Sequence, residues 1–383
     1  MITRSIWEVM QAVRVAVLIC FLPVVLYRIW RLIRYRTSIP AVAVTAFGAS
    51  AWLWLLAFTD SVWKVLPQIV RAVSMGGWPA ITIAACLQVF VVGISGDASP
   101  DRVRRGLRIT FAMATLALVV VTLTVRNSSV LMTTYDALTI SNIVYSGGDR
   151  ASAIATIVTS GYVISVVLQM MWVGFRHADR TPVGVGLGLL ATASAFQVVG
   201  SLCGGVWRPL AHGEGFIGSP VGLWFQTLPG CVAAILMVAG FLWSPVVSHV
   251  QARRDMKRLR PLHSMLADMF RGLFPPTESQ IRLSDKVFEW STHIQDGLTL
   301  LAQSRGVPLD SSAMVPEEEA ARALVVSNWI LGQSSAGFSC AWLRPPVDVS
   351  DQAWVLAIAD SYRNCMETSG VQEVGRERLP VRG

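Results

Sequence analysis

Seven runs of apolar residues, each close to the length of a membrane-spanning helix, constrain this chain more than any other feature. A bilayer core is about 30 Å thick and needs about 20 apolar residues of helix. The runs fall at residues 9–29, 41–59, 76–95, 109–125, 151–174, 182–205 and 221–247. Charged residues make up only 15% of the 383 positions, whereas a soluble domain carries about 25%. We therefore expect an all-α membrane protein, with a seven-transmembrane-helix bundle over residues 1–248.

The first run is the weakest of the seven. Its uncharged centre, Val15 to Tyr27, has only 13 residues and contains Pro23. A run of this length resembles the apolar part of a cleaved signal peptide. However, no pair of small residues suited to cleavage follows it, and four arginines come directly after it. We interpret the run as a retained helix.

Basic residues are divided unequally between the alternate connections of these runs. One set of connections holds 15 Lys and Arg residues, and the other set holds seven over longer segments. The connections on the cytoplasmic side of a membrane carry the excess of Lys and Arg. We therefore predict a multi-pass protein of the cell membrane, with the N-terminus outside and the C-terminus in the cytoplasm.

The positive net charge of the chain comes from these same connections between the apolar runs. The chain carries +8 at pH 7, but residues 1–248 account for +9 and residues 249–383 for −1. A nucleic-acid-binding protein would instead gather its positive charge on one basic patch or stripe. We expect the lipid bilayer, and no nucleic acid, as a partner.

The apolar runs contain glutamines but no charged residue near their centres. This weighs against a proton relay, a voltage sensor and most ion-coupled carriers, although not against a uniporter. The third, fifth, sixth and seventh runs carry Gln88, Gln169, Gln197 and Gln226, respectively. Two interpretations are open: the amides form hydrogen bonds between helices, or they line a pocket for a neutral or zwitterionic ligand. Because their depths differ, we do not expect one small shared cluster.

The sixth and seventh runs contain features that affect helix packing. The sixth has two GxxxG pairs formed by Gly184, Gly188, Gly200 and Gly204, so we expect a central helix or the seam of a homo-oligomer. In the seventh, Pro229 and Gly230 follow Gln226 by one turn. Proline removes a helix hydrogen bond, so we expect a kink, which is either static or a hinge.

After residue 248 the sequence changes to charged, amphipathic segments. Apolar residues three or four apart predict four helices, and we expect a small cytoplasmic α-helical domain over 249–370 with a disordered tail over 371–383. This domain opens with a basic run comprising Arg253, Arg254, Lys257, Arg258 and Arg260. The run is suited to contact with lipid headgroups, or it is only the anchor that sets the topology.

No motif for catalysis or cofactor binding occurs in the chain. It lacks a glycine-rich phosphate loop, HExxH and GxSxG, and its six cysteines form no CxxC pair. Glu289, His293 and Asp296 have a spacing that can hold a metal, but a solvated helix face is the commoner explanation. We expect no metal, no cofactor and no enzymatic activity.

Two short motifs resemble a known family. They are Arg258-Leu259-Arg260-Pro261-Leu262 and the later helix Val287…Ile294-Gln295-Asp296-Gly297-Leu298. With the seven apolar runs, they are similar to a group of actinobacterial integral membrane proteins that have an uncharacterised cytoplasmic helical domain. Members are loosely labelled as transporters without an established substrate. Where they tend to have Glu-Ile-Arg-Asp, this chain has His-Ile-Gln-Asp at 293–296. The resemblance implies a class and no catalytic residue.

These observations lead to two functional hypotheses. The first is a membrane sensor or regulator, in which the bundle is coupled to the cytoplasmic helical domain and that domain, 249–370, contacts a cytoplasmic protein. The alternative is a small-molecule transporter, either a uniporter or an exporter. The absence of a visible internal repeat counts against a carrier built from inverted repeats.

Overall fold

The computed structural model describes residues 3–34, 38–94, 99–211, 215–270, 283–310, 315–333 and 337–377. Every regular element within these ranges is a helix. The chain divides into two compact units, Met1–Ser244 and Pro245–Gly383, which we call the N-terminal unit and the C-terminal unit. The division lies four residues before the boundary predicted at residue 248.

The N-terminal unit consists of long apolar helices joined by short ones. The first are α1 (Arg4–Arg34), α2 (Ile39–Ala57), α3 (Asp60–Val65), α4 (Gln68–Met75), α5 (Trp78–Ile94), α6 (Pro100–Arg126), α7 (Ser129–Thr133), α8 (Ala137–Tyr145) and α9 (Arg150–Arg176). They are followed by α10 (Pro182–Ser201), a π-helix (Leu202–Trp207), α11 (Arg208–Leu210), α12 (Gly215–Gly218) and α13 (Pro220–Met269). A helix pairs its backbone groups within itself, which hydrocarbon surroundings require.

Six helices in the described part of the chain are long and apolar enough to cross a membrane. They are Arg4–Arg34, Ile39–Ala57, Pro100–Arg126, Arg150–Arg176, Pro182–Leu210 and, within α13, Trp224–Met269. The remaining apolar run forms α5, which follows α4 at a bend of 57°. Counting that bent pair as one span gives up to seven. By length and composition, these helices are therefore compatible with a multi-pass membrane protein.

The core of the N-terminal unit is built around α9. This helix packs against α10, α5 and α6, and α5 also packs against α2. Small side chains allow the close approach: a Cβ on Gly174 of α9 would lie 2.9 Å from the carbonyl oxygen of Leu187 in α10. Val166 and Met170 on α9 are fully buried among these helices.

The first helix is tied to its neighbours by polar contacts. The indole N–H of Trp7 donates to the Asp60 carboxylate (3.2 Å), and the Gln11 amide donates to Asp60 (3.0 Å) and to the carbonyl of Phe58 (3.1 Å). Arg14 donates to the same carbonyl, and its guanidinium lies 5.6 Å from the centre of the Trp7 ring. These contacts with the α2–α3 segment make α1 an integral part of the N-terminal unit.

Two connections form short helices that contact each other. The Trp63 indole of α3 donates to the carbonyl of Tyr135, which lies between α7 and α8 (2.9 Å), and the Arg71 guanidinium of α4 stacks on the Tyr135 ring at 4.9 Å. Asp149 caps α9 by accepting from the backbone N–H of Ser152 (2.8 Å). The contacts of Tyr135 thus hold the connection that contains α3 and α4 against the connection that contains α7 and α8.

The C-terminal unit has a hydrophobic core of its own. Its helices are the last part of α13, α14 (Leu283–Ser304), α15 (Glu319–Ile330), a 3₁₀ helix (Cys340–Leu343) and α16 (Asp351–Glu377). The fully buried side chains at its centre include Leu259, Leu262, Leu266, Ile294, Val326, Trp354 and Ile358. The four helices predicted from apolar spacing are thus present, and each contributes to one core.

Helix α16 is described past Gly370 as far as Glu377, while 378–383 lie outside the described residues. The disordered tail predicted over 371–383 stays a prediction. A single glycine costs a helix only about 1 kcal/mol relative to alanine. It therefore does not end a helix that other residues support.

Candidate functional site

Buried polar side chains of α5 and α9 form a hydrogen-bonded network inside the N-terminal unit. The Tyr162 hydroxyl donates to the Gln88 side-chain oxygen (3.1 Å), and the Gln88 amide donates to the Gln169 oxygen (3.2 Å). Gln88 and Tyr162 are each only 7% exposed. The network satisfies polar groups that would otherwise be buried without partners, and it links the two helices.

The other two glutamines lie elsewhere. The Gln197 amide donates to the Ser201 hydroxyl one turn along the same helix (3.1 Å). Gln226 on α13 accepts a hydrogen bond from the Arg208 guanidinium (3.4 Å). The four glutamines are therefore in three places, and the structure does not bring them into one pocket. Gln88, Gln169 and Gln226 each form a hydrogen bond to a residue of another helix.

Arg208 and the π-helix before it form a second polar region, which we call the π-helix site. Arg208 is only 5% exposed, although it belongs to an apolar helical segment. A Cβ on Gly204 would lie 2.1 Å from the Gln226 amide carbon, and one on Gly205 would lie 1.8 Å from the Ser160 hydroxyl. A side chain at either glycine would displace Gln226 or Ser160 from its present position, and these approaches bring α9, the π-helix and α13 together.

The chemistry of the π-helix site makes it the strongest candidate site of the N-terminal unit. π-helical turns are rare and are frequently found at functional sites. A buried arginine in a membrane bundle is costly and commonly marks a ligand or ion path. Arg208 was not predictable as a site residue from the sequence, because it stands at the end of an apolar run, where arginines usually reach water. The adjacent Gly204-Gly205 pair was the available signal.

The glycine face of α10 is occupied within the chain. A Cβ on Gly200 would lie 3.2 Å from the carbonyl oxygen of Gln226 and 3.6 Å from the backbone nitrogen of Gly230. Gly184 and Gly188 face Asp179 and Ala178 in the turn before α10. The face thus supports the central position predicted for this helix. The homo-oligomer stays a prediction.

The predicted hinge lies inside α13. Pro229 and Gly230 are part of an uninterrupted helical segment from Pro220 to Met269. Apart from the helix's own backbone, no described heavy atom lies within 4 Å of where a Cβ on Gly230 would stand. The hinge stays a prediction.

Aromatic and titratable side chains cluster in the C-terminal unit. The His263 ring stacks on the Trp290 ring with centroids 4.1 Å apart, and the His293 ring lies 5.9 Å from His263. Burial, together with the nearby His293 and Lys286, lowers the pKa of His263 to about 4. The apolar part of α13 ends at residue 247, and His263 lies about 24 Å further along the helix, beyond the part that is apolar enough to cross a membrane. At neutral pH its ring is uncharged.

The spacing of Glu289, His293 and Asp296, which could have held a metal, does not form a metal site in the part of the chain that the structure describes. Asp296 is exposed, while Glu289 and His293 are half-buried. Among the described residues, no group of three His, Cys, Asp or Glu side chains has an arrangement that could hold a metal ion. The solvated-face interpretation fits Asp296.

The basic run divides into two parts. Arg258 donates to Asp360 through Nε (2.9 Å) and Nη2 (2.5 Å), and to Asp255 through Nη1 (3.2 Å). The hydrogen bond to Asp360 is the largest cause of the raised pKa of Arg258. The other four residues, Arg253, Arg254, Lys257 and Arg260, are exposed. Arg258 therefore joins α13 to α16 within the unit.

Comparison with known proteins gives no relative. No protein-family model, no curated protein and no solved structure matches this chain. The case for a function therefore depends on the apolar helices, the π-helix site and the C-terminal unit.

Proposed function

We propose that the protein is a membrane sensor or regulator. In this proposal the N-terminal unit is a seven-span bundle whose N-terminus is outside, and the C-terminal unit is a cytoplasmic helical domain. The resemblance to the actinobacterial membrane family is part of the same proposal. The observation that carries it is α13, a single helix that begins at Pro220 and ends at Met269.

Each half of α13 is integrated in its own unit. In the N-terminal unit the Phe241 ring lies 5.2 Å from Phe90 and 5.3 Å from Phe47, so α13 packs with α5 and α2. In the C-terminal unit Leu259 and Leu262 are fully buried in the hydrophobic core. A continuous helix transmits a rotation or shift better than a flexible linker does. This supports α13 as the coupling element.

The π-helix site is where we propose that the bundle receives its signal. Its Arg208–Gln226 contact joins the end of the α10 segment to α13. A ligand that changes this contact would act on the same helix that enters the C-terminal core. The buried guanidinium favours a ligand with an anionic or polar group.

Hydrogen exchange on the full-length protein in nanodiscs tests the coupling. Gly240→Ala places a methyl group against α10, and Gly161→Ala, on α9 of the same unit, meets open space. We expect Gly240→Ala to change amide exchange in α14 by several-fold, and Gly161→Ala to leave it unchanged. Inserting two glycines after Ser248 should abolish the response, because glycine weakens the helix.

The result that contradicts the proposal is equally specific. If α14 exchanges at the wild-type rate in Gly240→Ala while the N-terminal unit is measurably altered, α13 does not couple the units. A response that survives the two-glycine insertion would also exclude the helix as the route.

A transporter of a small molecule is the second candidate. It is favoured by the 57° bend between α4 and α5 and by the π-helix, because broken helices commonly form transport sites. Uptake or efflux by proteoliposomes, measured across a broad metabolite panel, tests it. Flux that Arg208→Gln abolishes would favour the transporter, and an absence of flux across the panel would count against it.

A further inference from the structure

One face of α13 changes from apolar to basic within a single turn. Val246, Val250, Arg253, Lys257 and Arg260 are spaced by four, three, four and three residues, so they lie along one stripe of the helix. All five are exposed, Val246 by 54% and Val250 by 42%. An exposed stripe of this composition is apolar at one end and cationic at the other.

The opposite face of the same segment belongs to the protein core. Ala252, Leu259 and Leu262 are buried there. Asp255, the only acid between residues 249 and 260, pairs with Arg258 and lies away from the stripe. The segment is therefore fixed in rotation by its packing. The stripe faces away from the unit's own core.

The cations of this face have no acidic partner in the described part of the C-terminal unit. Among the described residues, Arg253, Arg254, Lys257 and Arg260 form no ion pair, in contrast to Arg258. Arg254 lies beside the stripe, about 100° from Arg253 around the helix. The structure thus separates one structural arginine of the basic run from four available cations.

We propose that these four cations, the three on the stripe and Arg254 beside it, bind the anionic headgroups of the inner membrane leaflet. The inference rests on the membrane placement proposed above. The exposed valines suit the edge of the hydrocarbon, and the next residues on the same face suit the phosphate layer. An acidic protein surface would account for the cations but not for the apolar residues that continue the same stripe.

The distance of each cation from Val250 along the helix axis predicts how strongly it contributes to headgroup binding. Arg253 lies about 5 Å beyond Val250 along the axis, Arg254 about 6 Å, Lys257 about 10 Å and Arg260 about 15 Å. The Debye length is about 8 Å at physiological ionic strength. Arg253 and Arg254 therefore contribute most, Lys257 less and Arg260 least.

Native mass spectrometry of the full-length protein tests this order. The protein is reconstituted in nanodiscs of phosphatidylcholine with 30% phosphatidylglycerol, a composition chosen for the experiment, and the ratio of the two retained lipids is measured. A basic residue close to the surface contributes about fivefold in lipid affinity. We expect Arg253→Gln and Arg254→Gln each to lower the retained ratio by about threefold to fivefold, Lys257→Gln by about twofold, and Arg260→Gln by less.

The matched control is Arg344→Gln, which removes one exposed charge from the C-terminal unit outside α13. It should leave the ratio unchanged, and raising the salt concentration should reduce the wild-type preference. If the triple variant Arg253→Gln, Arg254→Gln, Lys257→Gln is inserted and keeps the wild-type ratio, the headgroup proposal is refuted. Wild-type protein that alkaline carbonate releases from membranes would instead refute the membrane placement itself.

Discussion

The contact between α10 and α13 depends on glycine at position 240. A Cβ added to Gly240 would stand 2.7 Å from Leu190 Cγ and 3.0 Å from the carbonyl oxygen of Gly186. Ordinary contacts between carbon atoms are about 3.5–4.0 Å. Gly240→Ala therefore forces the Leu190 side chain to move and the two helices to separate locally. We expect this substitution to destabilise the N-terminal unit.

The magnitude follows from two opposing effects. Overpacking a well-packed site costs about 1–3 kcal/mol. Replacing a helical glycine by alanine gains up to about 1 kcal/mol. The net loss expected for Gly240→Ala is about 1–2 kcal/mol. Gly230→Ala meets no atom within 4 Å, so it should be neutral or slightly stabilising.

Thermal unfolding of the full-length protein in detergent, followed by tryptophan fluorescence, measures the difference. The chain has 14 tryptophans, which give a strong signal. A domain of this size shifts by about 2–4 °C per kcal/mol. We therefore expect Gly240→Ala to lower the transition by roughly 2–8 °C relative to Gly230→Ala.

The partner glycine offers a second check. A Cβ on Gly186 would lie 3.1 Å from the carbonyl oxygen of Gly240, so both substitutions disturb the same contact. Gly186→Ala combined with Gly240→Ala should cost less than the two single effects together. If Gly240→Ala unfolds at the same temperature as Gly230→Ala, the close approach of α10 and α13 is wrong.

Three further predictions concern named side chains. Tyr162→Phe removes the donor to Gln88 and should lower the free energy of unfolding by about 0.5–1.5 kcal/mol, measured by thermal unfolding. Gln197→Leu removes a hydrogen bond to Ser201 within one helix and should lower it by less. Equal effects of the two substitutions would contradict the interhelical role of Tyr162. In urea unfolding of the C-terminal unit, a double-mutant cycle of Arg258→Gln and Asp360→Asn should give a coupling of about 0.5–1.5 kcal/mol, because both side chains are about one-third exposed; no coupling would exclude a stabilising ion pair. Between pH 6.5 and 4 the unfolded state binds a proton at His263 that the folded state does not. The free energy of unfolding should therefore decrease by about 1–2 kcal/mol as the pH is lowered from 6.5 to 4, after allowance for partial exposure. His263→Phe keeps a ring against Trp290 and should flatten this pH dependence, and an unchanged slope would show that another group titrates.

Much of the helical architecture could be predicted from composition along the chain. A run of about 20 apolar residues has few alternatives to a helix, since any other backbone leaves unpaired N–H and C=O groups in hydrocarbon. Apolar spacing of three and four residues likewise predicted the four helices around Leu259, Ile294, Val326 and Ile358. The third run, residues 76–95, forms α5, and the 57° bend with α4 lies at the start of that run, where residue spacing did not indicate it.

The candidate site was less predictable. Four glutamines within apolar runs were recognisable as residues that need partners, but their partners were not. Tyr162 accounts for Gln88 and Arg208 for Gln226, and neither follows from spacing along one helix. The burial of Arg208 results from the π-helix and from glycines that let two other helices approach.

The sequence by itself determined the helical class, the approximate positions of the apolar helices and the change from apolar to charged, amphipathic segments near residue 248. These are local properties, because hydrophobicity and periodicity act within a few turns. Only the tertiary structure decided which polar residues meet, that Arg258 serves the C-terminal core, and that four other cations of the same run remain exposed. A side chain's partner depends on the rotation and depth at which helices pack, and the residues involved are up to about a hundred positions apart.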